Sequence, residues 1–206
     1  MTTPTPKDLM LANALMLQAL KAIEEVMGKK GLDAVLHNAG LDNYIDHFPP
    51  NDVEPAISST DYAKLNQAIE EFYGRGGKGI LKRIGRASFQ YGAREQAALL
   101  GLAGVALKVL PKRQKIKFIL NALGGALKKT NPQNEYFVDD RTDNIAYCVP
   151  TCSVCYGRHH DTPSCHLLVG SVTEAVKWAT GEEMEVRETL CIAKGDKYCR
   201  IEVVMA

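Results

Sequence analysis

Between residues 9 and 27 the apolar positions fall at Leu11, Ala14, Leu15, Ala19, Ala22, Ile23 and Val26. That three-and-four spacing marks one face of a helix, and Gly28 supplies its stop. A second short helix is expected over residues 32–39, before Gly40. Phe48-Pro-Pro-Asn-Asp52 interrupts the pattern and sets a boundary between an N-terminal helical extension, residues 1–50, and a core domain, residues 51–206. Ser59-Thr60-Asp61 offers an N-cap to a helix over residues 62–73, and the glycines at 74, 76 and 77 end it. A further helix is expected from Ile80 towards Gly92. Residues 97–107 are apolar on every side, the pattern of a buried segment, and residues 116–127 form a second apolar helix closed by Lys128-Lys129. After Asn131-Pro132 the period changes. Residues 135–139 and 144–149 read as strands, and residues 165–180 as a helix with Leu168, Val172, Ala175, Val176 and Ala179 inward. Residues 184–192 and 198–204 then complete a strand hairpin. This order predicts an α+β fold in which an antiparallel sheet packs against helices.

Composition narrows the class. A chain of 206 residues is long enough to bury a real core. Its net charge of +1, with both signs evenly mixed, argues against a dedicated nucleic-acid surface. With no run of ~20 apolar residues, no transmembrane segment is expected, and Met1-Thr-Thr-Pro-Thr-Pro6 lacks the order of a signal peptide. All six cysteines lie after residue 147, unlike the dispersed thiols of a secreted disulfide scaffold, so metal and a cytoplasmic setting are expected. The glycines at 74, 76, 77 and 79 follow a helix and lack a Gly-Lys-Ser/Thr ending, which excludes a phosphate loop. Trp178, at helix spacing from Ala175, is expected to be partly buried.

The chemistry concentrates in two cysteine groups. Cys165, Glu188, Cys191 and Cys199 have the residue types of a closed tetrahedral Zn²⁺ site; the alternative is reduced structural thiols and a solvated glutamate. Cys191 and Cys199 are equidistant from Gly195, so a hairpin would set their sulfurs on one face. Cys165 follows Pro163-Ser164 at a helix start, where the dipole favours a thiolate. In a regular strand Glu188 would point away from Cys191, so a bulge is required between them. Cys148, Cys152 and Cys155 form the second group. Their spacing suits an iron–sulfur cluster, a second zinc, a redox pair at Cys152/Cys155 or a plain reduced loop, and the loop is near enough in sequence to exchange ligands with the zinc site. His159, His160 and His166 are candidate extra ligands, though paired histidines in a polar loop are more often solvated. No nucleophile–base–orienter set can be assembled, so any enzymatic reading is that of a reductase using Cys148, Cys152 and Cys155.

Glu188-x2-Cys191-x7-Cys199, with Cys165 and the Gly170 helix upstream, resembles the 4-vinyl-reductase domain family over roughly residues 145–204. That family includes phenol-sensing input domains, small hydrocarbon-binding proteins and accessory proteins of bacteriochlorophyll synthesis. The resemblance implies that Cys165, Glu188, Cys191 and Cys199 hold zinc, and that a pocket between helices and sheet takes a small hydrophobic, aromatic or tetrapyrrole ligand. It also implies a TRAPP-subunit-like architecture and a homodimer. Residues 97–107 and 116–127 are the candidate pocket walls.

Overall fold

The computed structural model describes residues 9–98, 109–141 and 143–205. The expected buried segment over residues 97–107 therefore lies largely outside the described residues. The first helix starts later than its periodicity suggested. Residues Met10–Ala12 form a strand, β1, that pairs antiparallel with β2, Pro55–Ser58, and helix α1 then runs over Asn13–Ala39. Three apolar residues at a helix start carry no period of their own, so pairing with a distant partner decides their conformation. Gly28 breaks α1 at φ 74, a backbone state that glycine adopts without Cβ strain. Gly40, left-handed at φ 68, ends the helix, its N–H donating back to the carbonyls of Leu36 and His37.

Helix α2, Ser59–Tyr73, is capped one residue earlier than expected: Ser58 Oγ accepts from the Thr60 N–H at 3.1 Å. A 3₁₀ turn over Gly74–Gly76 leads directly into α3, Gly77–Glu95. Helix α4 covers Lys112–Thr130 and α5 covers His166–Thr180. The remaining strands are β3, Phe137–Asp139; β4, Ile145–Val149; β5, Val186–Leu190; and β6, Cys199–Val203. They form an antiparallel sheet in the order β3-β4-β6-β5. The protein is thus α+β, with antiparallel sheets packed on helices.

Strand alternation sorts the two faces of this sheet. Tyr147, Val149, Ile201 and Val203 join the hydrophobic core, to which α5 contributes Val172, Ala175 and Val176. The opposite face carries Arg200 and Glu202, paired at 2.7 Å, with Arg187 and Asn144 also on Glu202. Side chains from both sides of residue 50, including Met16, Leu20, Leu65 and Ile69, share one hydrophobic cluster. Trp178 is 44% exposed, on the outer side of α5, where the inward stripe of Val172, Ala175, Val176 and Ala179 leaves it no room in the core.

Helices α3 and α5 cross with their backbones in near contact, and two glycines permit it. A Cβ on Gly85 would lie 2.0 Å from the Leu167 carbonyl oxygen, and one on Gly170 would lie 2.1 Å from that of Lys82. Ser171 Oγ donates to the Gly85 carbonyl at 3.0 Å across the same crossing. Gly170→Ala is therefore expected to lower stability by about 1–3 kcal/mol through overpacking. Gly79→Ala, in the same α3 but facing open space, should leave stability unchanged or raise it by up to ~1 kcal/mol. Urea denaturation of both variants checks the contrast.

Candidate metal centre

Three segments converge on one buried cluster of sulfurs. Cys165 occupies the N-cap of α5. Strands β5 and β6 pair with a register shift between Glu188 and Leu190, the bulge that the Glu188–Cys191 spacing required. Glu188, opposite core-facing Ile201, reaches the α5 terminus, where its Oε2 accepts the Cys165 N–H at 2.8 Å, and the shift after it brings Cys191 to the same side. Cys191 directly follows β5; a 3₁₀ turn over Ile192–Lys194 and left-handed Gly195 (φ 100) then return the chain towards Cys199, the first residue of β6. Asp196 Oδ2 fixes this turn by accepting the Cys191 N–H at 2.8 Å.

The donor atoms of Cys165, Glu188, Cys191 and Cys199 all lie within 4.8 Å of one another. Cys152 and Cys155 come from the loop after β4, and their sulfurs form an equally tight group with the same Cys165 and Cys199. The Sγ separations are 3.5 Å for Cys152–Cys165, 3.2 Å for Cys155–Cys199 and 3.4 Å for Cys165–Cys199. Four thiolates at about 2.3 Å from one Zn²⁺ would stand about 3.8 Å apart on the edges of a tetrahedron, and these three separations fall short of that by about 0.3 to 0.6 Å.

Cys148 is elsewhere. It lies opposite Arg200 in the β4–β6 register, whereas Cys199 lies opposite Val149, so the two cysteines face opposite sides of the sheet. Burial pushes the Cys148 thiol up to about 11. The grouping of Cys148 with Cys152 and Cys155, natural on spacing, is not reproduced in space. The signal that separates them was present: Cys152-x2-Cys155 has metal-knuckle spacing, while Cys148 sits in an alternating strand between the inward residues Tyr147 and Val149.

Electrostatics favour a cation at the cluster. Burial raises the Cys165 thiol, and burial followed by the charge of Cys191 raises Glu188 to about 8. Glu188 Oε1 is buried without a hydrogen-bond partner, an acceptor that a metal ion would satisfy. Cys199 Sγ accepts the Ile192 N–H at 3.4 Å. The donor set of sulfurs with one carboxylate oxygen therefore fits Zn²⁺.

No histidine belongs to either donor group among the described residues. His166 is buried, and that burial lowers it to about 4; its Nε2 is 3.9 Å from Glu70. His160 Nε2 is 3.7 Å from the same glutamate, and His159 is exposed. The centre of this polar network is Arg158, its side chain 3% exposed and donating to Glu70 Oε2 at 2.5 Å and the Val154 carbonyl at 3.3 Å. It ties α2 to the Cys152–Cys155 loop, and the His160 N–H extends the tie by donating to the Ala193 carbonyl at 2.8 Å. Sequence reading did not find Arg158 or Glu70, because nothing in a sequence marks one charge as buried against another 88 positions away.

Against the same loop lies a cavity of about 150 Å³, walled by Leu15, Phe89, Leu123, Leu127, Tyr147 and Val154 among others. Leu123 and Leu127 come from the expected wall over residues 116–127. Tyr147 was not anticipated; its hydroxyl is buried and has no hydrogen-bond partner.

Residues 146–205 match the family model of the 4-vinyl-reductase domain. Among curated proteins, none matches the chain. Solved structures with a similar fold include H-NOX proteins. An oxygen-binding H-NOX domain related to soluble guanylate cyclases, in its oxygen complex, shares 14% identity at a TM-score of 0.59, over 94% of this chain and 93% of that one. An H-NOX protein from S. oneidensis in the Fe(II)NO ligation state shares 10% at 0.60, over 94% and 98%. A third, from a study of heme distortion in the H-NOX family, shares 14% at 0.60, over 94% and 93%. The likeness is one of fold, and it was not foreseen from the sequence, which pointed to TRAPP subunits.

Cys165→Ser is expected to strip bound metal and lower the melting temperature, whereas Cys148→Ser should retain the wild-type metal content. Elemental analysis of both proteins, purified under reducing conditions, reads the difference.

Proposed function

We propose that this chain, which carries a 4-vinyl-reductase domain at residues 146–205, is a zinc-stapled binding module for a small aromatic ligand. The observation that carries the reading is the apolar cavity built against the cysteine loop. Its volume of about 150 Å³ equals that of an engineered apolar cavity known to admit benzene. Tyr147, with Gln18, Ser88 and Ser171 among the other polar side chains of a mostly apolar wall, would supply a polar contact, its unpartnered hydroxyl suited to a ligand that is aromatic with a single hydroxyl or similar group.

The zinc, in this reading, is held by Cys165, Glu188, Cys191 and Cys199. Four protein ligands close its coordination, so its work is structural. It joins the start of α5 to the terminal β5–β6 hairpin, and much of the folding free energy of this region would come with the ion.

Heme, the group studied in one of the H-NOX neighbours, fits the described cavity poorly. Its walls present no His, Cys or Met among the described residues, and these side chains supply most heme axial ligation. A tetrapyrrole of any kind is also far larger than the benzene-sized space, so a single aromatic ring is the better-supported ligand.

Calorimetric titration with phenol and with benzene tests the reading. Phenol is expected to bind more tightly than benzene, and Tyr147→Phe should weaken phenol roughly fivefold, the worth of about 1 kcal/mol for one hydrogen bond, while sparing benzene. Ala126→Phe, which fills the cavity from α4, should abolish both. Undiminished binding in Ala126→Phe would place the ligand elsewhere.

A further inference from the structure

The two donor groups share Cys165 and Cys199, and this sharing has a chemical meaning. We infer that the cluster holds two divalent ions, bridged by the thiolates of Cys165 and Cys199. One ion is completed by Glu188 and Cys191, the other by Cys152 and Cys155. The inference rests on the zinc staple proposed above and extends it by a second site.

Stoichiometry supports the pair. Two tetrahedral ions that share two thiolates require six donors, and six donors converge here: Cys152, Cys155, Cys165, Glu188, Cys191 and Cys199. A single ion leaves two of the six without a role, in a site where all five cysteines are buried. If the ion chose the all-sulfur group, Glu188 would keep a buried carboxylate oxygen with no partner, an arrangement that costs free energy. If it chose the Glu188 group, Cys152 and Cys155 would stand as idle thiols a few ångströms from a cation.

Charge permits the pair. Thiols that hold no ion keep their protons, so one divalent ion on Cys165, Glu188, Cys191 and Cys199 leaves an excess of two negative charges, and two ions on all six deprotonated donors leave the same excess of two. That excess is within reach of the groups at hand: the N-terminus of α5 at Cys165, the Ile192 N–H on Cys199, and the Cys165 N–H on Glu188. The donor atoms of each group of four lie within 4.8 Å of one another. An iron–sulfur core, with inorganic sulfides between its irons, would spread its protein ligands wider than these separations allow. Loading either ion displaces thiol protons to solvent and transfers no electrons.

The second ion has a distinct structural consequence. Ser153 and Val154, between its two terminal ligands, line the cavity, as do Leu167 and Leu168 just after Cys165. The staple ion fixes the terminal hairpin, and the second ion fixes the cavity wall.

The test is ¹¹³Cd substitution of the full chain with proton–cadmium correlation NMR, which needs no variant to fold. The expected result is two cadmium signals, with the β protons of Cys165 and Cys199 correlating to both, those of Cys152 and Cys155 to one, and those of Cys191 to the other. One signal connected to Cys165, Cys191 and Cys199 alone would overturn the second ion and leave the staple standing. One signal connected to Cys152, Cys155, Cys165 and Cys199 would overturn both assignments, as would no bound cadmium. Elemental analysis adds an independent arm: about two zinc ions per chain in the wild type, falling to one in the Cys152→Ser/Cys155→Ser double variant. An unchanged zinc content in that variant would also overturn the second ion.

Discussion

Five thiols and a carboxylate buried within a few ångströms of each other impose the constraint on which the C-terminal half of this protein depends. Such groups cannot all ionise without cations, because like charges at this separation in a poorly solvated site repel strongly. Nor does the cluster resemble ordinary core packing, since sulfur donors from the post-β4 loop, the α5 N-cap and the β5–β6 turn meet at one point. The bulge after Glu188 makes sense in these terms. Glu188, opposite core-facing Ile201, already points to the inner face, where it accepts the Cys165 N–H with one oxygen free of protein partners; the shift after it turns Cys191 to the same side.

The cluster and the cavity are two sides of one short loop. In Cys152-Ser153-Val154-Cys155 the outer residues give sulfurs to the cluster and the inner two face the cavity. Leu167 and Leu168, in the first turn of α5 after the Cys165 cap, line the cavity too. Anything that repositions these cysteines must therefore move the cavity wall. Arg158 holds the far end of the loop against α2 through Glu70, so the loop is anchored at both sides rather than hung from the metal donors alone. A ligand in the cavity and a metal ion on the cysteines would therefore be linked, each stabilising the loop geometry that the other needs.

Much of this was legible in the sequence where the signal was local. The helix periods, the stop at Gly28, the cap at Cys165 and the bulge between Glu188 and Cys191 each follow from a few adjacent residues. Features that depend on distant pairing were not legible. Met10–Ala12 became a strand because Pro55–Ser58 lies beside it, and the Arg158–Glu70 pair joins segments with no common pattern. Cys148 shows the intermediate case: its spacing from Cys152 invited a shared cluster, while its place in an alternating strand put it on the other face of the sheet. Convergence of Cys152 and Cys155 with Cys165 and Cys199 required the full topology.

The fold likeness and the family match cover different parts of the chain and answer different questions. H-NOX proteins resemble 94% of it, whereas the 4-vinyl-reductase match begins at residue 146. The helices before that point provide much of the cavity wall: Leu15 and Gln18 from α1, Tyr62 from α2, Ser88 and Phe89 from α3, and Leu123 and Leu127 from α4. The matched segment provides the sulfur cluster, Tyr147 and the glycine that brings α5 against α3. With a Cβ at Gly170 the two helices would have to separate, and since both line the cavity, its size would change with them. The close crossing therefore sets the dimensions of the cavity, while the residues on its walls set its chemistry. A shared fold can consequently surround heme in one protein and, in this one, an apolar cavity beside a cluster of cysteines that could hold a metal ion.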